Sequence, residues 1–406
     1  MWKRPLTILF IATGLSGFTN YKPNPKVTIA TPQIITGADQ VQKYLPLLKG
    51  KKIGMVVNQT SIIGKKLSVD SLRSLKINIT VIFGPEHGFR GNASNGAKVS
   101  DEIDPDTGIP VVSLYGKKRK PSKTDMDKID IMIFDIQDVG CRFYTNINVM
   151  RDVMESCAEF NKELIILDRP NPNGYVDGPV LDMKLESGIG RFPVPITHGM
   201  TVGEFAQMIN GEGWMEGQPK CKLKVIPVKN YTHNMYYELP VHPSPNLNTQ
   251  QSVLLYPSLC LFEGTVISQG RGTHIPFTIL GSPALKGSFD FSFTPASLPG
   301  MSEKPLYMNE TCYGLDLRKY DTKTLHAKGK INLKWLFEMY KSYPDKNEFF
   351  DKSKSAQIGN FDKLAGTTNL KEQIINGVSE KSIRESWEPA LAKYKIMRKK
   401  YTLYAD

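Results

Sequence analysis

Five short apolar runs rich in β-branched residues, separated by polar or helical segments between residues 50 and 170, constrain this chain to repeated βαβ units on a parallel sheet. The runs are Ile53–Val57, Ile79–Phe83, Val111–Leu114, Ile131–Phe134 and Leu164–Leu167. They are continuous rather than alternating, as strands covered on both faces are. Between the last two, Val149, Met150, Val153, Met154, Cys157 and Ala158 form an amphipathic helical stripe. Leu67, Leu72 and Leu75 suggest a shorter helix in the first crossover.

In open α/β sheets ligands bind beyond the carboxyl ends of the strands, so the loops that follow these runs are where chemistry is expected. The second run leads into Gly84-Pro85-Glu86-His87-Gly88-Phe89-Arg90-Gly91, a carboxylate, an imidazole and a guanidinium crowded between glycines. The fourth leads into Asp135-Ile136-Gln137-Asp138-Val139-Gly140-Cys141-Arg142-Phe143-Tyr144-Thr145, and the fifth into Asp168-Arg169-Pro170-Asn171-Pro172-Asn173-Gly174. Each acidic residue here has a capping or turn role open to it, and each arginine a local salt bridge. Three such loops at one sheet edge favour a binding site for the group. The loop after the first run is Asn58-Gln59-Thr60-Ser61, without G-x-G-x-x-G, and no P-loop occurs, so a nucleotide site is disfavoured.

Residues 170–300 are rich in Gly and Pro and include His198-Gly199-Met200-Thr201 ahead of a helical stretch, and Pro243-Ser244-Pro245-Asn246 in a loop. Glu263 stands beside Gly264 at the end of an apolar run, the same grammar as Glu86, and Gly270-Arg271-Gly272-Thr273 follows. Beyond residue 300 the chain is Lys-rich and more helical. Leu333, Leu336 and Phe337 belong to one helix, and Ile383, Trp387, Leu391 and Tyr394 to a terminal one, with Pro389 expected in a first turn or at a kink.

At 406 residues the chain exceeds one ordinary core, and two domains are expected. Its hydrophobic content of 40% and charged content of 23% are those of a globular protein. The leader is different: Lys3-Arg4, an apolar core from Leu6 to Gly17 and polar Thr19-Asn20 make residues 1–20 read as an export signal, too short for a comfortable membrane span and without a Cys for lipid attachment. No stable span is expected in the mature chain, which is placed as exported, periplasmic or secreted. Five widely spaced cysteines indicate no disulfide framework. No zinc spacing appears, so no metal is expected, and no cofactor box is seen. The formal charge of +12 suits anionic partners, but the clusters at 117–120 and 398–400 lack interleaved aromatics, so no nucleic-acid partner is expected.

Taken in order, GPEHGFRG, the DIQDVGCRFYT loop, DRPNPNG, HGMTVGE, PSPN and EGTVISQGRGT resemble the NamZ family of exo-β-N-acetylmuramidases over residues 40–406. The resemblance implies an α/β fold: a Rossmann-like N-terminal catalytic domain with a mainly parallel sheet (40–258), a smaller α+β C-terminal domain (259–406), and an active site in the cleft between them. It also implies release of terminal, non-reducing β-linked N-acetylmuramic acid from peptidoglycan fragments, in cell-wall turnover and recycling, with muramyl saccharides as the partner. That chemistry asks for a carboxylic acid at the glycosidic oxygen and a second carboxylate. Glu86 is assigned the acid and Glu263 the second carboxylate, with Asp138 and Asp135 as rivals. Arg90, Arg142 and Arg271 are candidates for the lactyl carboxylate, because a guanidinium fork matches it in two-point geometry. His87, Gln137, Tyr144, Asn171 and His198, with Asp135, are placed around the sugar. Two other readings stand beside this one: a non-catalytic wall-carbohydrate binder, and an esterase or amidase, the latter disfavoured by the lack of a G-x-S-x-G elbow in the globular chain.

Overall fold

The computed structural model describes residues 1–2, 32–85, 89, 102–116, 118–351 and 360–406. The five runs become the strands Lys52–Val57, Asn78–Gly84, Pro110–Ser113, Ile131–Asp135 and Glu163–Leu167 of one seven-stranded sheet. A sixth parallel strand, Lys222–Ile226, lies outside Glu163–Leu167, and the two-residue strand Glu102–Ile103 pairs antiparallel at the opposite edge. The Lys222–Ile226 strand escapes a search for continuous apolar runs because it alternates Lys and apolar residues, the pattern of an edge covered on one face only. Numbered along the chain, the six parallel strands lie in the order 6-5-4-1-2-3, the doubly wound arrangement.

Alternate residues of each strand face opposite layers. Ile53, Met55 and Val57 join Tyr44, Leu48, Val69 and Leu72 of the helices Val41–Leu48 and Ser68–Ser74 in one core. Val56, Val81, Phe83, Met132 and Phe134 pack on the other face against Met150, Val153, Met154 and Cys157 of the Asn146–Glu159 helix and Phe205, Met208 and Ile209 of the Val202–Glu212 helix. Full burial of each such side chain contributes roughly 1.5–3 kcal/mol. In the first crossover Leu72 is buried as expected, but Leu67 pairs in a two-residue hairpin and Leu75 is 46% exposed past the helix end. The helix there falls one residue short of its outer leucines at each end, which stand at its N-cap and C-cap positions.

A third core gathers the rest of the chain. It holds the Gln250–Leu259 helix, the antiparallel strands Ile279–Ser282, Cys312–Asp316 and Phe291–Phe293, and the helices Thr322–Lys328, Lys334–Ser342, Phe361–Ala365 and Asn369–Ile375. Val139, Cys141 and Phe143, from the loop after the Ile131–Asp135 strand, are part of this core. The terminal helix Glu380–Arg398 links the two regions: Ile383, Trp387 and Leu391 enter the third core and Tyr394 enters the sheet's core. Pro389 sits well inside this helix rather than in a first turn. It lies on the exposed face, where the Glu385 carbonyl that loses its N–H partner meets solvent.

Residues 34–406 form one unit. All five cysteines are buried and unpaired. Among the described residues no helix is long and apolar enough to cross a membrane, and no group of three His, Cys, Asp or Glu side chains is arranged to hold a metal. The proposed export leader lies almost wholly outside the described residues.

Candidate active site

The strand order reverses between Lys52–Val57 and Ile131–Asp135, and their following loops, Asn58–Ser61 and Ile136–Gly140, meet at that switch point. Thr60 Oγ1 accepts from Gln137 N at 3.0 Å, and the Ser61 hydroxyl donates to the Asp135 carbonyl. The Asn58-Gln59-Thr60-Ser61 loop, informative in the sequence only for the glycines it lacks, is therefore a wall of the crevice. Its position after the first strand was the available signal.

Asp135 ends its strand fully buried, with Arg169 Nε at 2.8 Å and Nη2 at 2.7 Å from a single carboxylate oxygen; the other oxygen has no partner. Burial pushes its carboxyl above the usual range, against the opposing pull of Arg169. Gln137 spends its amide N–H groups on the carbonyls of Asp138 and Pro170, joining the fourth- and fifth-strand loops. Asp138 Oδ2 accepts from Gly140 N at 2.7 Å, the local turn open to it from sequence, while Oδ1 is buried and unpartnered. Gly140 has φ +76°, and a Cβ there would lie 2.2 Å from Asn171 Oδ1, so the two loops touch only because this residue is glycine.

Asn171 donates to the Met200 carbonyl and accepts from Asn173 N. His198 is buried edge-on to Phe205; its Nδ1 accepts from Met200 N, which leaves Nε2 carrying the proton, 3.7 Å from Asp138 Oδ2 and without a hydrogen-bond partner. Asp138 and His198 thus each keep a buried polar atom without a partner, a costly arrangement.

Asp168 behaves differently. Its two oxygens accept from Arg169 N, Gly203 N, Thr201 Oγ1 and Tyr404 Oη, capping the Val202–Glu212 helix. Burial pushes it up to about 6 despite those hydrogen bonds. Tyr404 and Glu204, which takes the Leu403 and Tyr404 amides, dock the chain's last residues beside the site. No local pattern foretells that contact, since its partners are about 200 residues apart.

The three arginine candidates separate. Arg142 is 0% exposed, and its guanidinium donates to the carbonyls of Pro179, Val194 and Leu364, each at 2.8 Å. Burial pushes it down to about 9. It ties the sheet-edge loops to the Phe361–Ala365 helix, while its Nε is buried without a hydrogen-bond partner. Arg271 lies 5.1 Å from the centre of the Phe277 ring, with Nε at 2.7 Å and Nη2 at 2.6 Å from one oxygen of Glu263. Burial alone would lower the Arg271 pKa, but the Glu263 carboxylate overcomes it and raises the net value. Glu263 is 1% exposed, and its second oxygen is unpartnered. Arg90, with Glu86 and His87, lies outside the described residues.

Aromatic contacts join the switch point to Glu263. Tyr144 donates to the Pro243 carbonyl at 2.9 Å and packs edge-on against Tyr256, which in turn meets Phe143 and Phe277. Burial above all pushes the Tyr256 hydroxyl up, and the neighbouring Glu263 carboxylate adds to it.

A doubly wound sheet with carboxylates, carboxamides and arginines at its switch point, and no phosphate loop, is an α/β enzyme scaffold suited to carboxylate-based hydrolysis. Residues 53–251 match the model of the N-terminal part of exo-β-N-acetylmuramidase NamZ, and residues 254–404 that of its C-terminal part. The chain belongs to the NamZ family, a family of glycosidases. It is 37% identical to the peptidoglycan β-N-acetylmuramidase NamZ of Bacillus subtilis (strain 168), over 98% of this chain and 99% of that protein. Two crystal structures of DUF1343 family proteins from Bacteroides fragilis NCTC 9343 share the fold. One has a TM-score of 0.84 at 44% identity and the other 0.75 at 29%, and each alignment covers 92% of this chain and 100% of the other.

Proposed function

We propose that this protein is an exo-acting peptidoglycan β-N-acetylmuramidase that removes terminal, non-reducing β-linked N-acetylmuramic acid from wall fragments, in turnover and recycling. The observation that carries the reading is that both parts of the NamZ model match this one chain, back to back over residues 53–404. Glu86 is the acid that protonates the glycosidic oxygen, and Glu263 is the second carboxylate. Support for Glu263 comes from its buried position, its single-oxygen pairing with Arg271 and its unpartnered second oxygen. Asp138, next to His198, is the alternative carboxylate. Arg271, which is 17% exposed and stacked on Phe277, suits the lactyl carboxylate better than Arg142 does. The basic, apolar leader supports export to the compartment where wall fragments arise.

The test is release of a chromogenic aglycone from its β-N-acetylmuramide and from the matching β-N-acetylglucosaminide, by wild type and Glu86→Gln. Turnover of the muramide alone, lost in the variant while the protein stays folded, is the expected result. Near-normal activity of Glu86→Gln would remove that residue from the acid role. Binding of muramyl fragments with no turnover of either substrate would favour a non-catalytic binder.

A further inference from the structure

Arg271 is carried by a loop that is tied at its neck and strained at one residue. Ser268 and Gly281 exchange backbone hydrogen bonds at 2.8 and 2.9 Å, and Phe277 N donates to the Gln269 carbonyl at 2.7 Å. Inside that neck Arg271 stands between two left-handed glycines, Gly270 at φ +80° and Gly272 at φ +81°. A Cβ on Gly272 would lie 2.4 Å from Pro305 Cγ, and one on Gly270 2.5 Å from Ile279 Cγ1, so the loop is tightly packed at both glycines. The N–H and hydroxyl of Thr273 both donate to the Gly270 carbonyl. Phe277 closes the loop and is left-handed too, at φ +55°. That region is open to glycine and, more rarely, to asparagine; for a bulky side chain it is an outlier. Strain of this kind persists only where the surroundings over-determine it, and it gathers at functional sites.

A glycine would make the same turn unstrained, so what Phe277 adds to the loop is its ring. The ring is 1% exposed, lies edge-on to Tyr256 at 5.0 Å, and has the Arg271 guanidinium over it at 5.1 Å. Filling space against Tyr256 needs only a side chain of that volume, whereas holding a cation uses the π-face. Glu263 holds Nε and Nη2 through a single oxygen, about which the guanidinium could pivot, and the ring removes that freedom. Nη1 has no hydrogen bond among the described residues and is not sealed from solvent. We infer that Phe277 is a positioning residue for Arg271: its ring, set under the guanidinium by the strained backbone, fixes the plane in which Nη1 is offered to a carboxylate of the substrate. The inference rests on the muramidase reading above, in which that carboxylate is the lactyl group of the muramyl sugar.

The test replaces Phe277 with a trifluorinated phenylalanine, which keeps the shape of the ring and removes the negative potential of its face, and with Leu and Tyr. Calorimetry of N-acetylmuramic acid and N-acetylglucosamine is read beside kcat and KM on the chromogenic β-N-acetylmuramide. For the fluorinated ring the expected result is about threefold to tenfold weaker binding of N-acetylmuramic acid with a matching rise in KM, the size of one cation–π contact. N-Acetylglucosamine binding stays within about twofold and the thermal midpoint near wild type. Phe277→Leu shows at least the same loss, and Phe277→Tyr, which keeps the π-face, binds as wild type does. Should Phe277→Leu fail to fold, the fluorinated protein decides alone. Wild-type affinity in the fluorinated protein would make Phe277 a packing residue and overturn the inference. Equal weakening of both sugars, or a fall in kcat at constant KM, would overturn it as well. A readout that needs no substrate is the Arg271 Nε–H resonance of protein with isotope-labelled arginine, assigned by its absence from Arg271→Lys. Its exchange with solvent is expected to be about threefold faster in the fluorinated protein, and an unchanged rate overturns the inference. If wild type neither cleaves the chromogenic muramide nor binds N-acetylmuramic acid while that exchange difference is seen, the muramidase reading fails and the positioning role of Phe277 stands.

Discussion

Two buried carboxylate–arginine pairs in this protein share one geometry and differ in their surroundings. In Asp135–Arg169 and in Glu263–Arg271 alike, Nε and Nη2 of the arginine converge on a single carboxylate oxygen and the other oxygen has no partner. The Asp135 pair is closed in: the arginine side chain is 2% exposed and also donates to the Ile62 carbonyl. The Glu263 pair has an open side, with its arginine 17% exposed on the face of Phe277. An identical ion pair therefore acts as a rivet where every direction is filled, and as a reachable group where one direction is left open. Removing one member of a closed pair strands a buried charge and costs roughly 3–5 kcal/mol.

The sharpest way to break the comparison is to neutralise each carboxylate. Glu263→Gln is expected to lower kcat/KM on the chromogenic muramide by ~10²–10⁴-fold while its thermal midpoint stays near wild type. Asp135→Asn is expected to lose ~3–5 kcal/mol of stability by urea unfolding, with its folded fraction still active. If the two outcomes trade places, Asp135 is the reacting carboxylate and Glu263 the rivet.

Arg142 extends the contrast, since it is enclosed with no carboxylate at all. Replacing it with Met strands three carbonyls at the junction of the sheet edge and the Phe361–Ala365 helix. The expected cost is ~3–5 kcal/mol by urea unfolding, at about 1–3 kcal/mol for each unpartnered group with partial relaxation. An unchanged midpoint together with weaker muramyl binding would return Arg142 to the list of lactyl ligands. Arg271→Lys probes the open pair more gently. It is expected to weaken binding of N-acetylmuramic acid by about tenfold in calorimetry and leave N-acetylglucosamine unaffected, because an ammonium cannot hold Glu263 as Nε and Nη2 do and also present a separate planar amine, as Nη1 does, to a second carboxylate. Equal weakening of both sugars would separate Arg271 from the lactyl group.

Local chemistry was legible where a rule acts over a few residues. The five apolar runs, the stripe from Val149 to Ala158, and the polar loops after the fourth and fifth strands all stand where the pattern places them. The strand order was not legible, because it depends on which runs pair, and neither was the edge strand Lys222–Ile226, whose lysines interrupt the apolar signal. At the site, residue types showed that carboxylates and arginines gather at one sheet edge. They did not show that the terminal amines of Arg142 bond three carbonyls or that Gln59 bonds those of His242 and Pro243, since those roles are set by partners between 37 and 222 residues away.

Asp168 is the most delicate test of enclosure, because it is as buried as Asp135 yet has no cation and relies on four hydrogen bonds. Burial raises its folded pKa to about 6, above the ~3.9 of an unfolded aspartate. The folded state therefore holds a proton that the unfolded state releases between about pH 4 and 6. The stability associated with that proton is fully present below about pH 4 and is lost as pH rises through about 6. Asp168→Asn does not titrate, so the stability advantage of wild type over this variant is expected to be larger at pH 4 than at pH 7, by up to ~2–3 kcal/mol. Urea unfolding of both proteins at the two pH values measures the difference directly. An advantage that stays constant, or grows toward pH 7, would mean that the hydrogen bonds from Gly203, Thr201 and Tyr404 keep Asp168 ionised throughout, and that four donors can replace the cation which Asp135 and Glu263 each require.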